Sequence, residues 1–339
     1  MDETSLFDAV PAPDEGARQA VREVLATADT PGASMGRLGE VAAWLAACQG
    51  VTPPQAPQRA RVIVFAGDHG VAGRGLSVLP AGESVRRAAE IEAGCGAVNA
   101  FARVAGASVR VVDVSLDHEA DGEDRVRRSA GAIDVEDAMS RAELDLAIEV
   151  GRRAADREID AGADLLVPGD LGVGNTTVAA AVMGAFTRTE PVAVIGPGSG
   201  IDDEAWKVKV SAIRDAMFRV RTRTGQSLET LRMISSPDFV ATTAFIAQAA
   251  ARRTPVLLDG APVTVAAYVA EKLAPGARHW FAAGQLTPEP AHLIALQALD
   301  LTPLLALEMR IGQGTGALAA LPLMSVAAEL AAGEFTAAE

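Results

Sequence analysis

One nine-residue segment concentrates the residue types that bind phosphate. Residues 169–177 read GDLGVGNTT, after a short apolar run and before a segment of helical periodicity. Glycines let backbone N–H groups approach an anion closely, a helix start offers partial positive charge, and threonines add hydroxyl donors. The segment lacks the lysine of a Walker loop and the third glycine of a dinucleotide fingerprint. On its residues alone it predicts either a phosphate-binding loop or a plain tight turn.

Other candidates for chemistry follow similar apolar runs. Asp68 and His69 come directly after the run at 61–66. Adjacent residues at a strand end point in different directions, so a structural or substrate-orienting role is favoured over a catalytic pair or a metal site. Lys209 lies about two helical turns beyond the glycine-rich residues 196–200. It is either the counter-charge of a phosphate or an ordinary surface lysine.

The overall composition argues against several function classes. The chain has 30 Lys and Arg against 44 Asp and Glu, a net charge of −14, so we expect no nucleic-acid partner. Cys48 and Cys95 are too few for a disulfide framework, and they offer no metal-ligand spacing. The acidic N-terminus carries no signal-peptide pattern. The apolar stretch 317–332 is interrupted by Pro322 and Glu329, so we expect no membrane span and a cytoplasmic protein.

Six short apolar runs predict buried strands, each followed by Gly, Asp or Ser and then by a helical pattern. The runs are 61–66, 108–114, 164–167, 191–195, 254–258 and 279–282. Most lack polar–apolar alternation, which is typical of strands covered by helices on both faces. We therefore predict an α/β fold with a doubly wound, mostly parallel six-stranded sheet. Ligands bind such sheets beyond the carboxyl ends of the strands.

The chain ends lack strand patterns and predict helices. Residues 1–55 and 318–339 are expected to form a small helical domain, beside an α/β domain of residues 56–317. Inside the larger domain, Ser140 and Glu143 predict a capping box. Thr287 before Pro288 predicts a second helix start.

Four segments carry a pattern that recurs in one enzyme family. They are residues 64–71 (VFAGDHGV), residues 169–177, residues 309–317 (MRIGQGTGA), and the early positions Ser34, Gly36, Arg37 and Leu38. Together they resemble the nicotinate-nucleotide:dimethylbenzimidazole phosphoribosyltransferases. The resemblance extends from about residue 30 to about residue 325. It implies a parallel α/β domain with a small helical domain, assembled as a homodimer.

The resemblance also implies a reaction. The family's enzymes move the phosphoribosyl group of nicotinate mononucleotide onto a nitrogen of dimethylbenzimidazole, giving alpha-ribazole phosphate, a precursor of the cobalamin lower ligand, and nicotinate. The implied partners are therefore small molecules, and no metal or cofactor is expected.

The family's functional positions map onto this chain residue by residue. The implied catalytic residues are Gln313, at the position of the family's glutamate base, and Asp170. The implied phosphate- and nucleotide-binding residues are Gly172, Gly174, Asn175, Thr176, Thr177, Lys209, Gly314, Thr315 and Gly316. The implied acceptor-base pocket comprises Asp68, His69, Ser77, Leu79, Pro80, Ile311 and Glu289.

The chain departs from the family's pattern mainly at the acceptor end. A glutamine amide cannot take a proton at ordinary pH, so Gln313 cannot replace a glutamate base. The family's pocket aromatic is Leu79 here, and other family positions are replaced by Ser235, Ser236 and Pro197. Three hypotheses follow: a phosphoribosyltransferase in which Asp170 serves as base, a transferase for a different acceptor, or a non-catalytic relative that binds nucleotide as a regulator or partner subunit.

Overall fold

A computed structural model describes residues 6–28, 34–80, 82–223 and 225–338. The strands are β1 (Ala60–Gly67), β2 (Ser108–Ser115), β3 (Leu165–Leu171), β4 (Val256–Leu258) and β5 (Phe281–Ala283). The first seven helices are α1 (Glu15–Thr27), α2 (Arg37–Gln49), α3 (Glu83–Glu92), α4 (Ala97–Ala105), α5 (Arg141–Asp160), α6 (Asn175–Thr187) and α7 (Pro191–Val194). The others are α8 (Asp203–Val220), α9 (Ser227–Ile234), α10 (Pro237–Ala251), α11 (Ala261–Leu273), α12 (Pro290–Leu299) and α13 (Thr315–Ala338).

The sheet is parallel throughout, with the strand order β2-β1-β3-β4-β5. The chain starts in the sheet at β1, adds β2 on one side, and then crosses to the other side for β3. The order therefore reverses between β1 and β3, and their carboxyl ends border the crevice in which open parallel sheets bind ligands. The predicted α/β class and the parallel sheet are confirmed.

The central strands are buried because helices cover the sheet. All seven residues of β3 are buried, and β1 carries one half-buried position. Helix α10 packs on β1 and β3 and also on α5. The approach of α5 to α10 requires Gly151, because a Cβ there would lie 2.1 Å from the carbonyl oxygen of Ala241. Phe65 and Phe245 meet edge to face, with ring centroids 5.3 Å apart.

The prediction of a sixth strand at 191–195 is wrong. Residues Pro191–Val194 form the single-turn helix α7, with Pro191 at the first helical position, where its fixed φ and missing N–H are tolerated. Val192 is exposed, whereas Val194 and Ile195 are buried. A run of Val, Ala and Ile fits a buried strand and a helix turn equally well, so apolarity alone could not separate them.

One predicted helix start is confirmed and one is wrong. The Ser140 N–H donates to Glu143 Oε2 at 2.7 Å and the Glu143 N–H donates to Ser140 Oγ at 3.3 Å, the reciprocal pattern of a capping box. Helix α12 begins at Pro290 instead of Pro288. Thr287 is buried, where its hydroxyl bonds to His292 Nδ1 at 2.7 Å, so it anchors the helix from the loop rather than capping it.

The terminal helices share a second apolar cluster. Val21 and Leu25 of α1 pack with alanines of α2 and with Ala327 and Ala331 of α13. Parts of the predicted small domain lie outside the described residues, and the division of the chain into two domains stays a prediction. Helix α13 is continuous through Pro322, so the stretch expected to be too interrupted for a bilayer is long and apolar enough for one by length and composition. Half of its apolar window is buried inside the protein, as in the core helix of a soluble fold.

Candidate active site

A cavity opens at the carboxyl edge of the sheet, beside the β1–β3 crevice. The predicted site residues that line it are Ser77, Leu79, Asp170, Gly172, Gly174, Asn175, Thr176, Thr177, Glu289 and Ile311. They come from segments that the sequence separates by more than two hundred positions. Sheet order brings them together, as the strand-end argument predicted.

The loop between β3 and α6 needs glycine at two positions. A Cβ on Gly172 would lie 1.9 Å from the carbonyl oxygen of Gly67, so only glycine lets the loop cross the end of β1. Gly174 has a φ of +99°, which L side chains rarely adopt. The first residues of α6, Asn175, Thr176 and Thr177, then reach the cavity. The positive end of α6 thus faces the space in which an anion would sit.

Lys209 of α8 reaches the same end of the cavity from behind. Its side chain is 1% exposed, and Nζ donates to Thr176 Oγ1 and to the carbonyl oxygen of Gly196, both at 3.1 Å. Burial lowers the pKa of the Lys209 ammonium, and the Glu289 carboxylate opposes that shift. The alternative of an ordinary surface lysine is therefore wrong. A buried cation stabilises an incoming anion more strongly than an exposed one, because little water screens the pair.

Glu289 holds the loop that completes this end of the cavity. Its Oε1 accepts from the Gly198 N–H at 2.7 Å. Burial raises the pKa of Glu289, opposed by Lys209 and then by Arg310. Ser199 Oγ lies 3.2 Å from Ser77 Oγ, which ties the 196–200 loop to the acceptor-pocket segment. Lys209, the start of α6 and the loop 196–200 thus lie together at one end of the cavity, and we call this group the anion cradle after the phosphate-binding role predicted for it.

Asp170 supplies a buried carboxyl group at the end of β3. Its Oδ2 accepts from Asn175 Nδ2 at 2.5 Å, while Oδ1 has no hydrogen-bond partner among the described residues. Burial, together with the carboxylates of Asp259 and Asp238, raises the pKa of Asp170 to about 7. A carboxyl group with a pKa near the working pH is suited to take and return a proton.

Asp259, which follows β4, holds the second half of the C-terminal motif. Its carboxylate accepts from the N–H groups of Gly314 and Gly316, each at 2.9 Å, and so satisfies the start of α13. Gly314, Thr315 and Gly316 were predicted to bind nucleotide, but they lie outside the cavity lining of the described chain. The N–H groups of Gly314 and Gly316 are already bonded to the Asp259 carboxylate, and the nucleotide-binding role of these three residues stays a prediction.

Asp68 and His69 support the loop rather than line the main cavity. Asp68 accepts from Ser84 Oγ at 2.6 Å and from the Asp117 N–H at 3.0 Å. His69 Nδ1 lies 2.9 Å from the carbonyl oxygen of Val173, inside the phosphate loop. The structural or orienting role expected for this pair fits these contacts. Pro80, predicted to belong to the acceptor-base pocket, is exposed and does not line the cavity.

Comparisons with known proteins converge on one family. A family model described as Phosphoribosyltransferase matches residues 10–339. The nicotinate-nucleotide–dimethylbenzimidazole phosphoribosyltransferase of Corynebacterium efficiens is 59% identical over 325 residues, covering 96% of this chain and 88% of that protein. The Mycobacterium avium protein of the same name is 50% identical, covering 95% of this chain and 93% of its own. The crystal structure of CobT from Thermus thermophilus superposes with a TM-score of 0.88 at 36% identity, covering 93% of this chain and 96% of that one.

The chain belongs to the nicotinate-nucleotide:dimethylbenzimidazole phosphoribosyltransferase family. The resemblance carried by the four sequence segments is therefore confirmed, and the chain is an enzyme of the phosphoribosyltransferase class that acts on small molecules.

Gln313 stands where the sequence resemblance places this family's glutamate base. The residue is buried, with a φ of +65°, between Gly312 and Gly314, whose φ values are +72° and +87°. Its N–H donates to the carbonyl oxygen of Asp170 at 3.0 Å. Its side chain lines a second cleft, shared with Arg86, Arg87 and Arg310, and Oε1 has no partner among the described residues. Three successive left-handed residues hold position 313 beside Asp170 while turning its side chain toward that cleft.

Sequence reasoning missed two buried carboxylates of this family member's site. Asp238 begins α10 and Asp259 follows β4, and both raise the pKa of Asp170. Asp259 was visible as a polar residue at a strand end, but its role in capping α13 was not. Asp238 follows Pro237 at a helix start, where an aspartate is usually read as a favourable charge for the helix. Among the described residues, no group of three or more His, Cys, Asp or Glu is placed to hold a metal ion.

Proposed function

We propose that this enzyme transfers the phosphoribosyl group of nicotinate mononucleotide to a nitrogen of dimethylbenzimidazole or a closely related base, giving alpha-ribazole phosphate and nicotinate. The relatives are named for these two substrates. The observation that carries the proposal is that one cavity joins an anion cradle at Lys209 and α6 to a buried carboxyl group, Asp170. This arrangement can hold a phosphate and receive a proton in the same turnover.

The proposal gives each end of the cavity a separate role. The cradle holds the 5′-phosphate of the nucleotide, while Ser77, Leu79 and Ile311 border the space for the acceptor ring. Positioning the ring nitrogen next to the sugar carbon replaces a bimolecular encounter by an oriented one. Leu79 in place of an aromatic residue leaves an aliphatic wall, which accepts a flat apolar ring without a stacking partner.

In the chemical step, a ring nitrogen of the acceptor forms a bond to C1′ as the bond from C1′ to the pyridinium nitrogen breaks. The bonding pair returns to the pyridinium ring, which departs as neutral-ring nicotinate and needs no acid. The acceptor's N–H proton passes to Asp170, the base of this enzyme, because the Gln313 amide cannot take it.

Substituting Asp170→Asn tests this assignment. We expect kcat to fall about 100- to 10,000-fold, the usual worth of a general base, with little change in the KM for nicotinate mononucleotide. Asp134→Asn is the matched control, because Asp134 is also buried but pairs with Arg74 outside the cavity lining. Product formation from nicotinate mononucleotide and dimethylbenzimidazole is the measurement. A wild-type protein that binds the nucleotide without turnover would instead identify a regulator or partner subunit.

We also propose that the enzyme works as a homodimer in the cytoplasm. Leu323, Val326 and Leu330 form an exposed apolar stripe along one face of α13, which a second copy would cover. The cytoplasmic assignment rests on the substrate, because a phosphorylated nucleotide does not cross a membrane unaided.

A further inference from the structure

A second, very narrow cavity lies behind Asp170. Asp170, Asn175 and Pro262 form the wall between this cavity and the larger one, since all three line both spaces. The other polar residues that line it are His69, Ser236, Asp238 and Thr242. Asp170 and the two charged groups His69 and Asp238 therefore border one confined space.

His69 and Asp238 lie in ion-pairing distance within that cavity. His69 Nε2 is 3.3 Å from Asp238 Oδ1, and both side chains are almost fully buried. Because the Val173 carbonyl oxygen can only accept, His69 Nδ1 keeps its proton, and Nε2 is the nitrogen that titrates. When Nε2 is unprotonated it accepts from Ser236 Oγ at 3.1 Å, and when protonated it faces the Asp238 carboxylate.

The charges around this pair favour the protonated imidazole. Burial alone would lower the pKa of His69, but Asp238, the Val173 carbonyl group and Asp68 outweigh burial and raise it. Asp238 Oδ1 has no hydrogen-bond partner among the described residues, so its charge is compensated mainly by His69. A protonated His69 therefore makes the His69–Asp238 pair neutral overall.

We propose that the His69–Asp238 pair sets the charge of Asp170, so that the base is ionised only while His69 compensates Asp238. The catalytic part of this proposal rests on the proposed function, whereas the charge coupling between the His69–Asp238 pair and Asp170 does not. Other charged groups near Asp170 are Asp259, which follows β4 and bonds to the start of α13, and Arg310, which lines the larger cavity with Asp170. Glu83 and Arg87 also line the larger cavity, where they form an ion pair with each other. Lys209 and Glu289 lie together at the cradle end. Among these groups, the His69–Asp238 pair alone combines a titrating nitrogen with a carboxylate on the wall behind Asp170.

The test uses two single substitutions and their combination. His69→Asn keeps a donor near the position of Nδ1 for the Val173 carbonyl group but deletes the titrating nitrogen, leaving Asp238 uncompensated. The titration midpoint of Asp170 should then rise by about one pH unit. Asp238→Asn removes the carboxylate that keeps His69 protonated, so burial leaves the imidazole neutral, and the midpoint should stay close to the wild-type value. The double variant also carries no net charge and should return close to the wild-type midpoint.

The measurement is a carbon-13 NMR titration of the aspartate carboxyl groups in the full-length protein, with the Asp170 signal identified by its absence in Asp170→Asn. Thr242→Val is the matched control: Thr242 lines the same small cavity but carries no charge, and its hydroxyl donates to the Asp238 carbonyl oxygen. This variant should leave the midpoint unchanged. Thermal melts establish that each variant folds. If His69→Asn does not fold, Asp238→Asn decides the question, because a compensated Asp238 predicts an unchanged midpoint and an uncompensated one predicts a fall.

A midpoint that does not rise in His69→Asn, or that falls clearly in Asp238→Asn, would overturn the proposal and leave His69 with a purely structural role. The pH profile of kcat separates this failure from failure of the proposed function. A raised midpoint in His69→Asn without a matching shift in the kcat profile would support the charge coupling but show that Asp170 is not the catalytic base.

Discussion

Asp170 and Lys209 are both held in surroundings that disfavour their charged forms. Burial acts first in each case, raising the pKa of Asp170 to about 7 and lowering the pKa of Lys209. The Asn175 amide and the nearby Glu289 carboxylate relieve only part of this penalty. Such residues reduce the stability of the free enzyme and become useful when substrate arrives with the opposite charge or a proton to give.

Replacing Asp170 by asparagine should therefore stabilise the folded protein at alkaline pH. The folded-state pKa of about 7 lies above the ordinary aspartate value of 3.8, so the folded state holds a proton that the unfolded state releases between these values. Wild-type stability thus falls as pH rises from about 4 to 7, and the penalty is complete above pH 7. We expect Asp170→Asn to melt several degrees higher than wild type at pH 8, with the difference shrinking towards pH 4. A difference that is constant across this range would contradict the shifted pKa.

Substitutions at Gln313 test whether the catalytic base is Asp170 or lies at position 313. If Asp170 is the base, Gln313→Glu places a second carboxylate nearby, and like charge raises the pKa of Asp170. We expect the acidic limb of the kcat profile to move to higher pH, with no more than about a twofold gain at pH 8. Gln313→Met, which keeps the side-chain length and adds no charge, should leave the limb in place. A gain of about 100-fold in Gln313→Glu would instead identify position 313 as the site of the base.

At the scale of the elements, the turns after the strands decide what the site can bind. The sequence predicted the loop at 169–177 because its glycines mark a close backbone approach, and Gly172 and Gly174 do meet such a requirement. The grouping of Asp170, Asp238 and Asp259 could not be predicted, because it depends on the order of the strands and on the start of α10. Strand order is a property of the whole sheet, which no local pattern reports.

The loop 196–200 offers a matched pair of substitutions. Gly198 and Gly200 have φ values of +53° and +97°, so alanine strains the backbone at both positions. A Cβ on Gly198 would lie 2.9 Å from Lys209 Nζ and from Thr176 Oγ1, inside the anion cradle. A Cβ on Gly200 would meet no atom of the described chain within 4 Å. Only the first substitution should therefore narrow the phosphate site.

We expect Gly198→Ala to raise the KM for nicotinate mononucleotide at least about tenfold, equivalent to about 1.4 kcal/mol of lost binding. Gly200→Ala should change KM by less than about twofold, because it strains the backbone of the loop but places no atom in the phosphate site. Steady-state kinetics and thermal melts on both variants provide the comparison. Equal KM values in the two variants would place the phosphate elsewhere.

At the scale of the whole molecule, the sheet and the chain ends meet in α13. The helix starts at Thr315, next to Gly314 and Gly316, whose N–H groups donate to Asp259 beside the site. Its far end lies in the apolar cluster of α1 and α2. Its start therefore belongs to the α/β core, and its far end belongs to the terminal helices. A second copy of the chain that covers the outer face of α13 would therefore contact the same helix that follows the Gln313 segment.

The stripe on α13 provides the test of the homodimer. Leu323, Val326 and Leu330 are 36%, 46% and 37% exposed, and their spacing of three and four residues places them on one helix face. A charge at the centre of such a stripe must be desolvated in a dimer but stays hydrated in a monomer. We therefore expect wild type to sediment as a dimer at micromolar concentration and Val326→Asp to sediment as a folded monomer. Val104→Asp is the control, since Val104 is 83% exposed on α4 and lies outside the stripe. Wild-type protein that sediments as a monomer at this concentration, or dimers that both substitutions weaken equally, would rule out the stripe as the interface.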